Sequence, residues 1–235
     1  MEKEEIEIKF TKQPKNPILI EGFPGFGLIG TIATEFLINH LKTELIGKYW
    51  IEELPATIAI HKGKVISPIE FHYCEKHNLL IVHAITAIVG TEWHLADIVL
   101  EVAKKFNAKE LISLEGVSSI KPEDEAKVFY FSNQEKKDVN IEKLEESIIM
   151  GVTAALFMKA DIPFIAFFAE THSQLPDSKA AAKIVEAIND YLGLKIDVAP
   201  LIKMAEELEL KLNKIIEQSK KAVAARKEKE LSYVG

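Results

Sequence analysis

The stretch Pro17-Ile18-Leu19-Ile20-Glu21-Gly22-Phe23-Pro24-Gly25-Phe26-Gly27-Leu28-Ile29-Gly30 decides the fold of this chain. Its first four residues form an apolar run of strand length. Its middle is crowded with glycine and proline. From residue 28 to 41 the apolar side chains Ile29, Ala33, Phe36, Leu37 and Leu41 fall at helical spacing. Strand, glycine loop and helix in that order read as the first unit of an α/β domain.

The same alternation continues outward. An alternating strand is expected at 5–10, with Ile6, Ile8 and Phe10 on one face. Further strands are expected at 44–50, 56–60, 65–74, 79–86, 110–114, 127–131 and 163–169. Helices are expected at 91–106, with Thr91 as cap, at 148–158, and from the Asp177 cap to Leu192, with Gly193 closing the last of these. The predicted fold is a three-layer α/β/α domain with a mixed, mostly parallel sheet covered on both faces. The turn-linked strands between 50 and 85 extend that sheet in antiparallel fashion. Residues 1–200 read as one globular domain, and 201–235 as a projecting C-terminal helix and flexible tail.

Composition narrows the function. The chain has 235 residues, 48% hydrophobic and 28% charged, with a net charge of −7. That length buries a real core without staples. Arg226 is the only arginine among 29 basic residues, and an acidic chain of this kind is no nucleic-acid binder. A single cysteine, Cys74, forms no internal disulfide and fits a reducing cytoplasm. No apolar run reaches membrane-spanning length, and the acidic start is unlike a signal peptide, so a cytoplasmic protein with no membrane partner is expected.

Four motifs carry candidate chemistry. Gly25-Phe26-Gly27-Leu28-Ile29-Gly30 satisfies G-x-G-x-x-G between a strand and a helix, where backbone N–H groups could hold a pyrophosphate. However, no acidic ribose ligand ends a second strand at the usual distance, and Pro24 removes a donor. A tight structural turn built on Gly22, Gly25, Gly27 and Gly30 is the favoured reading. A nucleotide- or nucleoside-binding enzyme is the alternative. His72-x-Cys74-x-x-His77 has soft ligands but no fourth at familiar spacing, so no metal is expected. Glu170-Thr171-His172-Ser173 ends a predicted central strand without a nucleophile elbow, and Glu92-His94-Asp97 reads as a polar helix face. No catalytic residue and no cofactor are assigned.

The fourth motif is the C-terminus. Ala205, Leu208, Leu212 and Ile215 keep four-three spacing for about two heptads before it fades. Beyond Ser219 come Lys220, Lys221, Arg226, Lys227 and Lys229 against Glu228 and Glu230, then Leu231-Ser232-Tyr233-Val234-Gly235. A basic arm ending in an aromatic and a free carboxylate has the form of a peptide ligand for another protein's pocket.

Taken together, these pieces resemble a known family. The Gly22-to-Gly30 run, the residues from Gly151 to Leu156, the Glu170-Thr171-His172 loop, Pro176-Asp177 with Ala180-Ala181-Ala182, and Leu192-Gly193-Leu194-Lys195-Ile196-Asp197 are similar to the archaeal proteasome assembly chaperone family, relatives of proteasome assembly chaperone 2. The resemblance spans roughly residues 17–208. It implies a nucleoside-phosphorylase-like α/β/α fold and a non-enzymatic, homo-oligomeric protein, with proteasome α subunits, further copies of itself, and a paralogue as partners. Proteins of this kind insert a C-terminal hydrophobic–Tyr–any tripeptide between α subunits. Here Tyr233 precedes Val234 and Gly235 and follows Ser232, one residue out of that register. The mismatch bears on gate opening, while the resemblance still implies docking of the tail through Leu231, Tyr233, Val234 and Gly235.

Overall fold

The computed structural model describes residues 8–203 apart from 52–55, 57, 62, 87–89, 119–125, 136–138 and 172–174. In chain order the elements are β1 (Ile18–Gly22), α1 (Ile29–His40), β2 (Glu44–Tyr49), β3 (Ala59–His61), β4 (Lys64–Ile66), β5 (Ile69–Cys74), β6 (Leu79–Ala84), α2 (Glu92–Lys105), β7 (Glu110–Ser118), β8 (Val128–Ser132), β9 (Glu142–Lys143), α3 (Gly151–Lys159), β10 (Phe164–Thr171) and α4 (Ser178–Leu192). Helical backbone resumes at 199–203. The expected arm and tail, 204–235, lie outside the described residues.

Eight strands form one sheet in the order β2-β5-β6-β1-β7-β10-β8-β9. The central four, β6, β1, β7 and β10, run parallel, while β5, β2 and β8 join antiparallel. Helices α1 and α4 pack together on one face, and α2 and α3 on the other. The central strands are near-continuous apolar runs because both their faces are covered. Leu19, Leu80, Leu111, Phe164 and Phe168 face the α2–α3 layer, while Ile20, Ile81, Ile112, Ile165 and Phe167 face the α1–α4 layer. The expected α/β/α fold with an antiparallel extension is the one observed.

Several boundaries differ from the sequence reading: β7 runs on to Ser118, past the expected end at Leu114, and β9 is a strand that was not expected. The single strand expected at 65–74 is two, because Pro68 breaks it and frees β3–β4 to form a separate hairpin. Helix α3 begins at Gly151, whose φ of +82° admits no earlier start in helical geometry. Residues 8–10 are not strand. Ile8 is buried, and Phe10 instead packs edge-on against Phe71 and Phe106, at 5.2 and 4.9 Å.

Candidate functional site

The glycine loop leaves β1 at the end of the sheet where the parallel strands finish. There it is held by contact rather than by a ligand. A Cβ on Gly22 would collide with the Gly30 carbonyl oxygen, and one on Gly30 with the Leu114 carbonyl oxygen on β7. Helix α1 thus starts directly against β1 and β7. Gly27 has φ +64°, and its carbonyl accepts the Asp177 N–H at 2.8 Å. Asp177 caps α4 by accepting from Ala180 N–H at 2.9 Å, and Thr171 Oγ1 donates to its other oxygen at 2.8 Å. The expected cap therefore also fastens the β1 loop to the end of β10. Asp177→Ala is expected to cost about 1–2 kcal/mol in urea denaturation, the upper end of an N-cap loss, because it also frees the Thr171 hydroxyl.

Beneath the loop lie two carboxyl groups that the sequence reading did not join. Leu19 and Glu21 alternate on β1, and Leu111, Ser113 and Glu115 on β7, so both acids point to the α2–α3 face. Glu21 is 1% exposed and Glu115 9%. The Ser113 and Thr153 hydroxyls are 2.7 Å apart, Thr153 Oγ1 donates to Glu115 Oε2 at 3.3 Å, and Gly116 N–H donates to Glu115 Oε1 at 3.0 Å. A Cβ on Gly25 would collide with Glu115 Oε1, so a larger residue there would force the Glu115 carboxyl aside. Glu21 Oε1 has no hydrogen-bond partner among the described residues.

Burial pushes Glu21 up to about 7, against hydrogen bonds from Ser113, the Phe23 N–H and Thr153 that favour the ionised form. Burial and, after it, the neighbouring Glu21 charge together raise Glu115 to about 8. The signal was present in the sequence. Each acid lies on an inward-facing alternation and is followed at once by glycine, Glu21-Gly22 and Glu115-Gly116.

The other motifs resolve into structural pairs. His72 Nε2 lies 3.0 Å from Glu70 Oε2, and its Nδ1 lies 3.3 Å from Thr43 Oγ1. Buried Cys74 directs its thiol toward the Leu41 carbonyl at 3.9 Å. No group of three or more His, Cys, Asp or Glu side chains is arranged for a metal ion among the described residues. His83, which no motif included, meets Thr34 Oγ1 at 2.9 Å, and burial lowers its pKa to about 4. Asp97 pairs with Lys159 at 2.7 Å, His94 meets the Tyr49 hydroxyl at 3.0 Å, and Glu92 accepts the Gly90 N–H. Thr171 holds Asp177, while His172 and Ser173 lie outside the described residues. No helix among the described residues is long and apolar enough to cross a membrane.

This loop and its partners sit within a region recognised by comparison. The PAC2 family profile matches residues 19–216. The chain belongs to the PAC2 family. Among solved PAC2-like structures, PbaA of Pyrococcus furiosus, described as an archaeal homolog of proteasome-assembly chaperone, is 30% identical. Its TM-score is 0.81, and the match covers 97% of each chain. PbaB of the same organism, described as an archaeal proteasome activator, is 25% identical with a TM-score of 0.75, covering 89% of this chain and 98% of its own. An uncharacterised protein of Methanocaldococcus jannaschii is 29% identical over 97% of this chain and 98% of its length.

Proposed function

We propose that this PAC2 chain is a non-enzymatic, homo-oligomeric proteasome assembly chaperone or activator-like protein that binds the proteasome α-ring through its C-terminal tail. The observation that carries the reading is the near full-length likeness to both PbaA and PbaB. The glycine loop supports it. Gly25 lies over Glu115, and Gly27 lies beside Asp177, so the groups flanking the loop are acids. A phosphate there would meet carboxyls where a nucleotide site offers donors. The buried acid pair is closed off from solvent, which is not the setting of acid–base chemistry on a substrate.

The tail supplies the test. Leu231, Tyr233, Val234 and Gly235 would enter a pocket on the partner, with Tyr233 burying most of the area and the Gly235 carboxylate meeting a lysine. The basic arm would steer the tail toward an acidic surface, so binding should weaken with salt. Deleting 232–235 is expected to reduce capture of α-rings at least about tenfold, with oligomer mass and Tm unchanged. Tyr233→Ala should do most of the same damage. Undiminished capture by the truncated protein would move the interface to the globular body.

A further inference from the structure

Strands β1 and β7 are parallel neighbours from which the chain departs in opposite directions. From β1 it passes through α1 to β2, β5 and β6 on one side of the sheet. From β7 it passes to β8, β9 and, through α3, to β10 on the other. Helices α1 and α3 also lie on opposite faces. Such a reversal of strand order sets a ligand crevice at the carboxyl ends of the two strands in open α/β sheets. At that point this chain places Glu21 on β1 and Ser113 and Glu115 on β7, with Thr153 reaching them from the first turn of α3.

The four side chains form one cluster. Glu21 and Ser113 are directly opposite in register. Ser113 Oγ lies 2.7 Å from Thr153 Oγ1, which lies 3.3 Å from Glu115 Oε2. Both hydroxyls also hydrogen-bond to Glu21. The groups acting on the two acids are these hydroxyls, the Phe23 and Gly116 N–H groups, and the Glu21 charge on Glu115; no Lys, Arg or His is among them. The surroundings are apolar, with Val82 beside Glu21, Ala166 beside Ser113 and Phe168 beside Glu115. Glu21 Oε1 is fully enclosed there and has no partner among the described residues. Buried polar atoms are nearly always paired, and buried carboxyls are nearly always given a counter-charge.

One occupant answers both demands. We propose that Glu21, Glu115, Ser113 and Thr153 form a site for one hard divalent cation of the Mg²⁺, Ca²⁺ or Mn²⁺ class. The side-chain donors are all oxygen, which suits these ions, whereas zinc and copper favour imidazole and thiolate. Two carboxylates balance a charge of two. Oxygens that share such an ion at about 2.0–2.6 Å and roughly right angles stand about 2.8–3.5 Å apart. The separations of 2.7 and 3.3 Å are close to that spacing before any ion draws the groups together. The ion would take the unpaired Glu21 oxygen as a ligand and tie β1, β7 and α3 together at the switch point. This site is independent of the proteasome reading, which rests on the tail.

The test uses the full chain, stripped with EDTA and then freed of chelator, at pH 8. Mg²⁺, Ca²⁺ or Mn²⁺ is expected to raise Tm saturably, by at least about 5 °C at about 5 mM, while sodium chloride of equal ionic strength does not. Mn²⁺ electron paramagnetic resonance should count one bound ion per chain. Glu21→Gln and Glu115→Gln should each weaken ion binding at least about tenfold. Glu145→Gln with Glu146→Gln, a pair of exposed acids ahead of α3, should leave both readouts at the wild-type value. Thr153→Ala keeps both acids and serves if Glu21→Gln fails to fold; it should weaken binding severalfold. A Tm that none of the three ions raises overturns the proposal and leaves a buried water or a shared proton as the partner of Glu21 Oε1. Equal Mn²⁺ binding by wild type and the variants at Glu21, Glu115 and Thr153 overturns it as well.

Discussion

Gly30→Ala should destabilise the protein by about 3 kcal/mol or more, enough to remove much of a typical domain's stability. The added methyl would collide with the Leu114 carbonyl and lie 3.0 Å from both Gly22 Cα and the Phe23 carbonyl oxygen. All three are main-chain atoms of the central sheet and its loop, so none can swing aside as a side-chain tip would. Relief requires α1 to move off β1 and β7, and with it the Thr34 hydroxyl that meets His83. Gly63→Ala is the control. Its φ is +73°, but nothing lies within 4 Å, so only the backbone term of about 1 kcal/mol applies. Urea denaturation of the two variants side by side checks the claim. Equal losses would mean that close packing of α1 on the sheet is not what the loop glycines serve.

The buried acids give a second large effect. Both bind their protons more tightly folded than unfolded, because each native pKa lies above the ordinary 4.5. The native state therefore holds more protons than the unfolded one up to about pH 8, and stability must fall as pH rises through that range. His83 acts oppositely. Burial lowers its native pKa from 6.5 to about 4, so it costs stability on acidification below pH 6.5. The acids act without this opposition between about pH 6.5 and 8, and there the decline should show. Glu115→Gln removes one titration and the charge that opposes the other. At pH 9, where the wild-type carboxylate must be ionised while buried, it should be more stable than wild type by about 3–5 kcal/mol, with little difference at pH 5. A wild-type stability that is flat from pH 6.5 to 9 would sink the idea.

Legibility in the sequence followed periodicity. β1, its loop and α1 could be read because the apolar spacing changes from continuous to helical across a glycine cluster. The Asp177 cap and the Gly193 stop were readable because each has its own local chemistry. The acid pair was not assembled, since β1 and β7 become neighbours only through a crossover that no local pattern reports. Pro68 and Gly151 did carry the missed boundaries. An apolar run read for its hydrophobicity alone hides a proline break, and a helix read from its apolar spacing starts too early when a glycine holds its first residue at positive φ. His72 and Cys74 looked like ligands because their types suit metals. What they do instead, in contact with Glu70, Thr43 and a backbone carbonyl, depends on partners that sequence spacing does not show.

The position of β1 also bears on how the chain is made. This strand comes first among the described strands, yet its two neighbours in the sheet are β6 at Leu79–Ala84 and β7 at Glu110–Ser118. As the nascent chain leaves the ribosome, Ile18-Leu19-Ile20 has no sheet partner until Ala84 has emerged, and only one until Ser118 has. The clasp from Asp177 to Gly27 waits until α4 begins to emerge. Loop closure over such separations slows folding, and an apolar strand with two open edges is a template for association with other chains. Synthesis thus keeps the sheet's central strand unprotected for longer than its peripheral hairpins, and folding yield should be most sensitive to temperature and crowding in that interval.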